Sequence, residues 1–466
     1  MHPIISRSQG IHHWFTTKDV QFRLPPQNML ILKGQTGDIV VAGLVPNAGK
    51  ALAAQGLRPD IAIVHTLVGL NEIFFPCAIS SAQQGKPVIV VVPDQKMKEA
   101  VEQYMLIAYR PFAKASDPYA PFELDASQIR MSGIPEQQQD ELIAEIEYYD
   151  PRCERDLGKL INVVVAEEGQ PQSVNLKGST VTITHFGKGI YTFNNQQIDA
   201  NQFTAVQFAT ESVPNLSAWQ PRFGIFMLGV NSGGAPQGFS TALLQRSCAI
   251  GASVSSVFNR VIDCGPQIPT LLRESGFSDR GISTIDWVIT HTHPDHDAGL
   301  FELLRDPAVS SVRIYTHPFA AEAIFRKAQI LGLEAEAIAK IPYLQGACFE
   351  PDKFDKNPVY NLAPHRMLHI GGMQTEWTLH GIPTVMFYRH YKTPSLGVRA
   401  SLVYAADGAF SEDRLSEIRS AGALSPQREE RIRAFVNQHN GYTALVEEVG
   451  MGGEPQHPAN GIKFYS

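Results

Sequence analysis

The stretch "THTHPDHDAG", which begins at residue 290, restricts the fold of this chain more than any other feature. Residues 291–296 of this stretch include His291, His293, Asp295 and His296, and they directly follow the apolar run "DWVIT". Alternate residues of an extended segment point to the same side, so His291 and His293 can bind one metal ion together. A turn through Pro294 would bring the next two side chains to a second ion. Imidazole nitrogen and carboxylate oxygen suit Zn²⁺, and also Mn²⁺ or Fe.

The regions around this motif alternate between two kinds of pattern. Short apolar runs bounded by Gly, Pro or Asp predict strands, among them "GDIVVAG", "DIAIVHT", "KPVIVVVP" and "VRIYTHP". Amphipathic stretches between them predict helices, including "NAGKALAAQGL", "DQKMKEAVEQYMLIAY" and "QIPTLLRESGF". Strands that alternate with helices predict an α/β fold built in layers.

The predicted elements occur twice in the same order. "GDIVVAG" matches "NRVIDCG", "DIAIVHT" matches "DWVITHT", and "TITHFGKGIYTF" around His185 matches "WTLHGIPTVMFY" around His380. This order predicts an internal duplication, although any two α/β domains share some of the same rhythm. In the first copy His65 stands opposite His291, but Leu67, Gly69 and Leu70 replace the other ligands of the motif. We therefore expect no catalytic metal in the first copy.

The length of 466 residues is too great for one ordinary domain. The connector "ESVPNLSAWQPR" places the predicted boundary near residue 216. We predict a degenerate domain over residues 1–215 and a catalytic domain over residues 216–466. A segment rich in turn formers predicts an insertion near residues 111–160.

Composition and charge narrow the class of protein. With 44% hydrophobic and 18% charged residues the chain can bury real cores. A net charge of −7 gives no electrostatic basis for general nucleic-acid binding. Five scattered cysteines without a CxxC pair favour a reducing compartment. No secretory leader and no apolar run of membrane-spanning length is evident, so we expect a cytoplasmic protein without membrane attachment.

The pattern HxHxDH after a buried strand resembles the signature of the metallo-β-lactamase fold superfamily, a group of hydrolases built as αββα sandwiches. The glycine loop "FMLGVNSGGAP" and the turn Asp263-Cys264-Gly265 resemble the same superfamily. The branch that looks most similar contains ribonuclease Z, related phosphodiesterases and the cofactor-biosynthesis protein PqqB. A degenerate copy followed by an intact one resembles the long form of ribonuclease Z. The resemblance implies a metallo-β-lactamase fold in tandem.

The resemblance also implies a dinuclear metal centre and its ligands. These are His291, His293 and His380 for one ion, Asp295, His296 and His457 for the other, and Asp407 as the bridge. His439 could take the place of His457. In this superfamily the aspartate at the position of Asp295 also orients the attacking water or carries a proton, which makes Asp295 the catalytic candidate. The implied cofactors are two divalent ions, with Zn²⁺ favoured and Mn²⁺ or Fe left open.

The sequence leaves several functions open. We expect a metal-dependent hydrolase that activates water against a phosphodiester or another small ester. Processing of tRNA 3′ ends is the runner-up. Asp407 comes only 27 positions after His380, which leaves no room for the tRNA-gripping arm of ribonuclease Z. The chain could also serve in cofactor biosynthesis with iron and oxygen, as in PqqB, or as a non-catalytic scaffold. The expected partner is a small molecule or a nucleotide, and homo-oligomerisation is left open.

Overall fold

The computed structural model describes the parts of the chain that surround the histidine motif. The described residues are 2–6, 11–15, 23–74, 76–77, 85–109, 157–206, 214–219, 223–229, 242–248, 257–316, 318–333, 368–370, 373–377, 384–393, 398–406, 412–436, 442–446, 449–454, 457–459 and 463–465. For the strands within residues 2–15, 368–401 and 442–465 the description covers the backbone alone. Most of the predicted insertion near residues 111–160 lies outside the described residues.

Strands are the commonest elements of the described chain. In the first half they are β1 (His2–Ser6), β2 (Ile11–Phe15), β3 (Met29–Gly34), β4 (Gly37–Gly43), β5 (Ile61–Ile63), β6 (Val88–Val92), β7 (Ile161–Val165), β8 (Gln172–Leu176), β9 (Ser179–His185), β10 (Ile190–Phe193) and β11 (Gln196–Asp199). In the second half they are β12 (Phe223–Gly229), β13 (Ala242–Cys248), β14 (Val257–Ile262), β15 (Asp286–Val288), β16 (Arg313–Tyr315), β17 (Leu368–Ile370), β18 (Met373–Trp377), β19 (Val385–Thr393), β20 (Val398–Tyr404), β21 (Tyr442–Val446), β22 (Val449–Glu454), β23 (His457–Ala459) and β24 (Lys463–Tyr465).

Helices connect many of these strands. The α-helices are α1 (Ala48–Ala54), α2 (Gln95–Tyr109), α3 (Leu157–Leu160), α4 (Ile268–Glu274), α5 (Asp279–Ile282), α6 (Pro294–Arg305), α7 (Pro318–Ile330), α8 (Glu412–Ser420) and α9 (Pro426–Val436). Short 3₁₀ helices cover Pro26–Asn28, Leu67–Glu72 and Ala200–Gln202. Among the described residues no helix is long and apolar enough to cross a membrane.

Two sheets carry the parallel strands that the alternating pattern predicts. A seven-stranded sheet has the order β1-β2-β12-β13-β14-β15-β16, and a five-stranded sheet has the order β3-β4-β5-β6-β7. Strands β14, β15 and β16 run parallel, as do β4, β5, β6 and β7. Other sheets have the orders β17-β18-β19-β20-β21-β24, β11-β10-β9-β8 and β22-β23. The predicted α/β fold is confirmed.

Side-chain alternation along the central strands explains the layers. In the five-stranded sheet, Val41, Ile63 and Val91 pack with Ile183 and Phe193 of the four-stranded sheet. Successive side chains of a strand point to opposite faces of the sheet. The neighbouring residues on the same strands therefore face away from the four-stranded sheet and pack against helices. That second cluster continues into the other half of the chain, where it includes buried apolar residues of α4, α6 and α7. The helices of the two halves therefore share one core.

The two halves repeat one order of elements. Strand β4, helix α1 and strands β5 and β6 follow one another as β14, α4, β15 and β16 do. Both α1 and α4 begin after a residue in the left-handed conformation, Asn47 with a φ of 69° and Gln267 with a φ of 71°. These shared features are what a duplication would leave, and the duplication and the boundary near residue 216 stay predictions.

Glu72 closes the start of α1 and gives the fold a pH dependence. Its side chain is buried and accepts hydrogen bonds from the backbone N–H groups of Asn47 and Gly49. Burial raises the pKa of Glu72 from 4.5 to about 7, against those hydrogen bonds and the nearby charge of Lys50. Glu302 of α6 faces the same carboxyl group from the other half. Because its pKa is raised, Glu72 holds its proton more tightly in the folded state than in the unfolded state. The stability that this tighter proton binding contributes is fully present below pH 4.5 and is lost as the pH rises through about 7.

We expect Glu72→Gln to flatten the dependence of stability on pH between 5 and 8. Glutamine keeps an acceptor for the two backbone donors and removes the cost of ionising a buried group. Its buried amide offsets part of this gain, so the stabilisation at pH 8 is on the order of 1 kcal/mol. Urea titrations at both pH values measure it, with the exposed Glu167→Gln as the control. Parallel pH profiles for Glu72→Gln and the unchanged chain would contradict this account.

Candidate metal centre

The carboxyl ends of β14, β15 and β16 meet at one edge of the seven-stranded sheet because these strands are parallel. Asp263 directly follows β14, and the histidine motif follows β15. His291 is completely buried and His293 is partly buried. Their facing nitrogens, His291 Nε2 and His293 Nδ1, are 3.1 Å apart. The predicted alternation along the extended segment therefore does bring these two side chains together.

The second part of the motif forms the first turn of helix α6. His293 is the N-cap residue and Pro294 occupies the first helical turn, where a missing N–H costs nothing. The sequence predicted a turn at Pro294, and the structure continues that turn into a helix. Acidic residues in the first turn, Asp295 and Asp297, suit the positive end of the helix dipole.

His296 faces the other two histidines from this first turn. Its ring centroid lies 4.0 Å from that of His291. Its Nδ1 is 2.9 Å from Asp263 Oδ2, which leaves Nε2 on the side of Asp295, 3.7 Å from the Oδ2 of that residue. Gly299 allows α6 to pack closely against the turn after β14, because a Cβ at this position would lie 2.4 Å from the carbonyl oxygen of Gly265.

Asp263 is a buried hydrogen-bond acceptor that contacts several residues of the site. It is completely buried and has a φ of 62°, a left-handed conformation that aspartate tolerates better than most residues. Its carboxylate accepts hydrogen bonds from the backbone N–H of Thr290 at 2.9 Å and from the Thr290 hydroxyl. It also accepts one at 3.0 Å from the hydroxyl of Tyr404, at the end of β20 in the other sheet. One carboxylate thus ties His296, the loop and two sheets together.

Lys327 supports the loop from α7. It is completely buried and donates to the backbone oxygen of Thr292 and to both oxygens of Asp297, at 3.1 and 2.8 Å. Burial raises the pKa of Asp297 to about 6, although the Lys327 ammonium acts in the opposite direction. Through these contacts the buried Lys327 holds Thr292 and Asp297 in place, on either side of His293, Asp295 and His296.

The first half of the chain contributes residues next to the site. Lys50 of α1 is buried, and burial lowers its pKa to about 8, against the charges of Asp295 and Glu72. The ring of Phe74 stacks on the ring of His293, with centroids 5.4 Å apart and planes 29° from parallel. Sequence reasoning identified neither residue, because nothing in the local pattern shows what packs against it.

The first-half counterpart of the motif has a shorter loop. Two residues separate the end of β5 from the N-cap Thr66, whereas four separate the end of β15 from the N-cap His293. His65 is the second residue after β5 and His291 is the third after β15, so aligned strand ends place His65 opposite Thr290. His65 Nδ1 lies 3.0 Å from the hydroxyl of Tyr191, whose ring stacks on His185. The two histidines that survive in this half are thus joined through a tyrosine.

The remaining predicted ligands cannot be placed in the site. His380 and Asp407 lie outside the described residues, as does His439. The backbone of His457 pairs with Glu454 between β23 and β22, and its side chain is not described. Within the described ranges no three histidine, cysteine or carboxylate side chains form a complete metal cage. The full ligand set stays a prediction.

The side chains that are described nevertheless fit a metal ion. Two imidazole nitrogens on one tetrahedral Zn²⁺ are about 3.3–3.4 Å apart, close to the observed 3.1 Å between His291 and His293. Thr290 Oγ1 lies 2.9 Å from His291 Nδ1, and Asp263 holds Nδ1 of His296. Metal-binding histidines ordinarily have such a partner on their other nitrogen. The donor types and their orientation both suit a divalent ion.

Comparison with known proteins points to the same part of the chain. Residues 223–425 match the family model described as Anti-Pycsar protein Apyc1. This segment contains Asp263, Lys327 and the whole histidine motif, and it ends before His457.

Two relatives from Dictyostelium discoideum are phosphodiesterases by name. The cGMP-dependent 3′,5′-cGMP phosphodiesterase A is 22% identical over 231 residues, which cover 50% of this chain and 23% of that protein. The cAMP/cGMP-dependent 3′,5′-cAMP/cGMP phosphodiesterase B is 24% identical over 173 residues, which cover 36% of this chain and 13% of that protein. The matched segment thus spans less than a quarter of either relative.

Three solved structures overlap with the chain. The metallo-β-lactamase fold protein YhfI from Bacillus subtilis has 14% identity and a TM-score of 0.23, with 42% of this chain and 66% of that chain covered. The short form of human tRNase Z has 15% identity and a TM-score of 0.29, with coverage of 52% and 98%. A long-form RNase Z from yeast has 10% identity and a TM-score of 0.33, with coverage of 94% and 68%. TM-scores this low describe loose overlaps, and no residue role follows from them.

The observations on the chain itself agree with the resemblance found in its sequence. Parallel strands end at one sheet edge, and the HxHxDH motif there joins a buried strand to a helix. The family match covers this same region. These findings agree with the resemblance of the sequence to the metallo-β-lactamase fold superfamily and support a hydrolase-like α/β protein.

Proposed function

We propose that this chain is a metal-dependent hydrolase that cleaves phosphodiester bonds, with cyclic nucleotides as the substrate class. The observation that carries the proposal is the convergence of His291, His293 and His296 at one sheet edge. The names of both Dictyostelium relatives, which are cyclic-nucleotide phosphodiesterases, support the choice of substrate. A net charge of −7 favours a small substrate over tRNA, whose binding requires a positive surface.

The proposed cofactors are two divalent ions, with Zn²⁺ favoured by the donor types. His291 Nε2 and His293 Nδ1 would hold one ion, and His296 Nε2 with Asp295 would hold the other. His380, Asp407 and His457 remain the proposed further ligands. When bound, such ions lower the pKa of a water molecule and neutralise charge on the phosphoryl oxygens.

The residues of the chain would position the reacting groups. Asp263 accepts a hydrogen bond from His296 and so fixes the tautomer and direction of that ring. Thr290 orients the ring of His291 in the same way, through the 2.9 Å contact between its Oγ1 and His291 Nδ1. Asp295, which is buried beside His296, is placed to accept a proton from the attacking water.

The first test is metal content and turnover of the purified full chain. We expect bound Zn²⁺ or Mn²⁺ and hydrolysis of 3′,5′-cyclic nucleotides to the corresponding monophosphates. His293→Ala and His291→Ala are expected to lose metal and reduce turnover to the level seen after chelation, while circular dichroism shows a folded protein.

His65→Ala provides the matched control. His65 follows the equivalent strand of the first half and is half-buried, but it lies in the half that we expect to bind no catalytic metal. Its replacement is expected to leave metal content and turnover unchanged. Retention of all metal in His293→Ala, or no hydrolysis of any phosphodiester by the metal-loaded chain, would overturn the proposal.

A further inference from the structure

We propose that the first half of the chain acts as a built-in support for the metal centre, with Phe74 as the positioning residue for His293. This inference rests on the proposed function, since it concerns the affinity of that site for its metal. Phe74 follows the 3₁₀ helix Leu67–Glu72, which occupies the place that α6 has in the second half. The degenerate counterpart of the metal loop therefore contacts the intact one.

Phe74 and His291 hold the ring of His293 from two directions. Phe74 is only 8% exposed and stacks on one face of the ring. The His291 ring meets it edge-on, with centroids 4.8 Å apart and planes at 80°. A partly exposed N-cap histidine would otherwise rotate about its side-chain bonds. The stack restricts this rotation, so that less conformational entropy is lost when Nδ1 binds an ion.

A second contact supports the same loop through Lys327. The ring of Tyr104 in α2 lies under the Lys327 ammonium, 5.3 Å from ring centre to nitrogen. The Tyr104 hydroxyl donates to Asn71 in the 3₁₀ helix at 3.1 Å. Lys327 in turn binds Thr292 and Asp297, on either side of His293.

Close packing shows that the two halves meet tightly here. A Cβ at Gly332, just after α7, would lie 2.8 Å from Leu67 Cδ1 in the 3₁₀ helix. Tyr104, Leu70 and Phe74 belong to the same buried cluster as Leu300 and Phe301 of α6. The contact surface is therefore a shared core, and a side chain fixed in it can hold His293 in one orientation.

The test measures Zn²⁺ affinity by competition with a chromophoric chelator, using the full chain. Phe74→Leu keeps an apolar side chain and removes the ring, and Phe74→Met is a second, more adaptable replacement. We expect Zn²⁺ affinity to fall by about 10- to 100-fold in both, the range found when groups that orient metal ligands are removed. Phe74→Tyr keeps the stacked ring and is expected to restore affinity to within a few-fold of the unchanged chain.

Phe193→Leu is the matched control for a general loss of packing. Phe193 is completely buried in the other core of the same half, away from the metal loop. Its replacement is expected to lower thermal stability without changing Zn²⁺ affinity. If Phe74→Leu and Phe74→Met fold and bind Zn²⁺ as tightly as the unchanged chain, the positioning role is wrong.

The outcomes separate this inference from the proposed reaction. Weakened Zn²⁺ binding in the Phe74 variants, together with no phosphodiester turnover by the unchanged chain, would support the positioning role and overturn the reaction alone. Turnover with unchanged Zn²⁺ affinity in the variants would support the reaction and overturn the positioning role. An unchanged chain that binds no divalent metal would overturn both.

Discussion

Lys327→Met is expected to lower the free energy of unfolding by about 3–5 kcal/mol. The replacement leaves Asp297 as a buried carboxylate without its ammonium partner, and it leaves the Thr292 carbonyl without its donor. Both groups of the ion pair are completely buried, so water cannot compensate for the loss. Urea or guanidinium denaturation of the metal-free chain measures the change without a contribution from metal binding.

A double replacement distinguishes the effect of leaving Asp297 without its charged partner from the effect of losing the packing of the Lys327 side chain. In Lys327→Met/Asp297→Leu both charges are gone, and most of the lost stability is expected to return, because apolar pairs can replace buried ion pairs. Lys98→Met is the control, since Lys98 meets Glu102 at 3.9 Å near the surface of α2. Its expected cost is about 0.5 kcal/mol or less. A small effect of Lys327→Met alone would show that the pair adds little to stability.

Asp263→Ala is expected to have a comparable effect on stability and an additional one on metal binding. It removes the acceptor for Thr290, His296 and Tyr404 at once, and it puts alanine at a φ of 62°. Unsatisfied buried donors cost about 1–3 kcal/mol each, so a loss on the order of 4 kcal/mol is expected. Zn²⁺ affinity is expected to fall by about 10- to 100-fold because His296 loses its orienting partner.

Tyr404→Phe and Asp263→Asn separate these contributions. Tyr404→Phe removes one of the hydrogen bonds and is expected to cost about 1 kcal/mol, with little change in Zn²⁺ affinity. Asp263→Asn keeps an acceptor for Thr290, while its amide nitrogen cannot accept from His296. If Asp263→Asn binds Zn²⁺ as the unchanged chain does, the carboxylate does not orient the ring.

Much of this arrangement could be predicted from local patterns. "GDIVVAG" predicted a strand and forms β4 over the same seven residues, Gly37–Gly43. The helix predicted in "DQKMKEAVEQYMLIAY" begins at Gln95, directly after Asp94, whose carboxylate accepts a hydrogen bond from the Met97 N–H. The motif after "DWVIT" lies at the end of a strand, as expected. These features depend on side-chain period and capping, which a short stretch of sequence contains.

The residues that support the motif could not be predicted in this way. Lys327 is a lysine in an amphipathic helix, a pattern that ordinarily indicates a solvated charge. Its burial depends on Asp297, thirty positions earlier, and on Tyr104 in the other half. Asp263 was noticed as part of a turn, but the donors to its carboxylate lie between 27 and 141 positions later in the chain. Tertiary contacts of this kind leave no period in the sequence.

The pairing of β2 with β12 has a consequence for how the chain can be assembled and divided. Ile11 pairs with Phe223, so β2 cannot complete its pairing until a strand more than two hundred residues later has been synthesised. Such non-local pairing is slow to form and leaves strands open to wrong partners in the meantime. A fragment that begins near residue 216 would lack β1 and β2. Strand β12 would then become an open edge of the sheet. Unprotected edges of this kind invite pairing between molecules, so separating the two halves exposes the second one to aggregation.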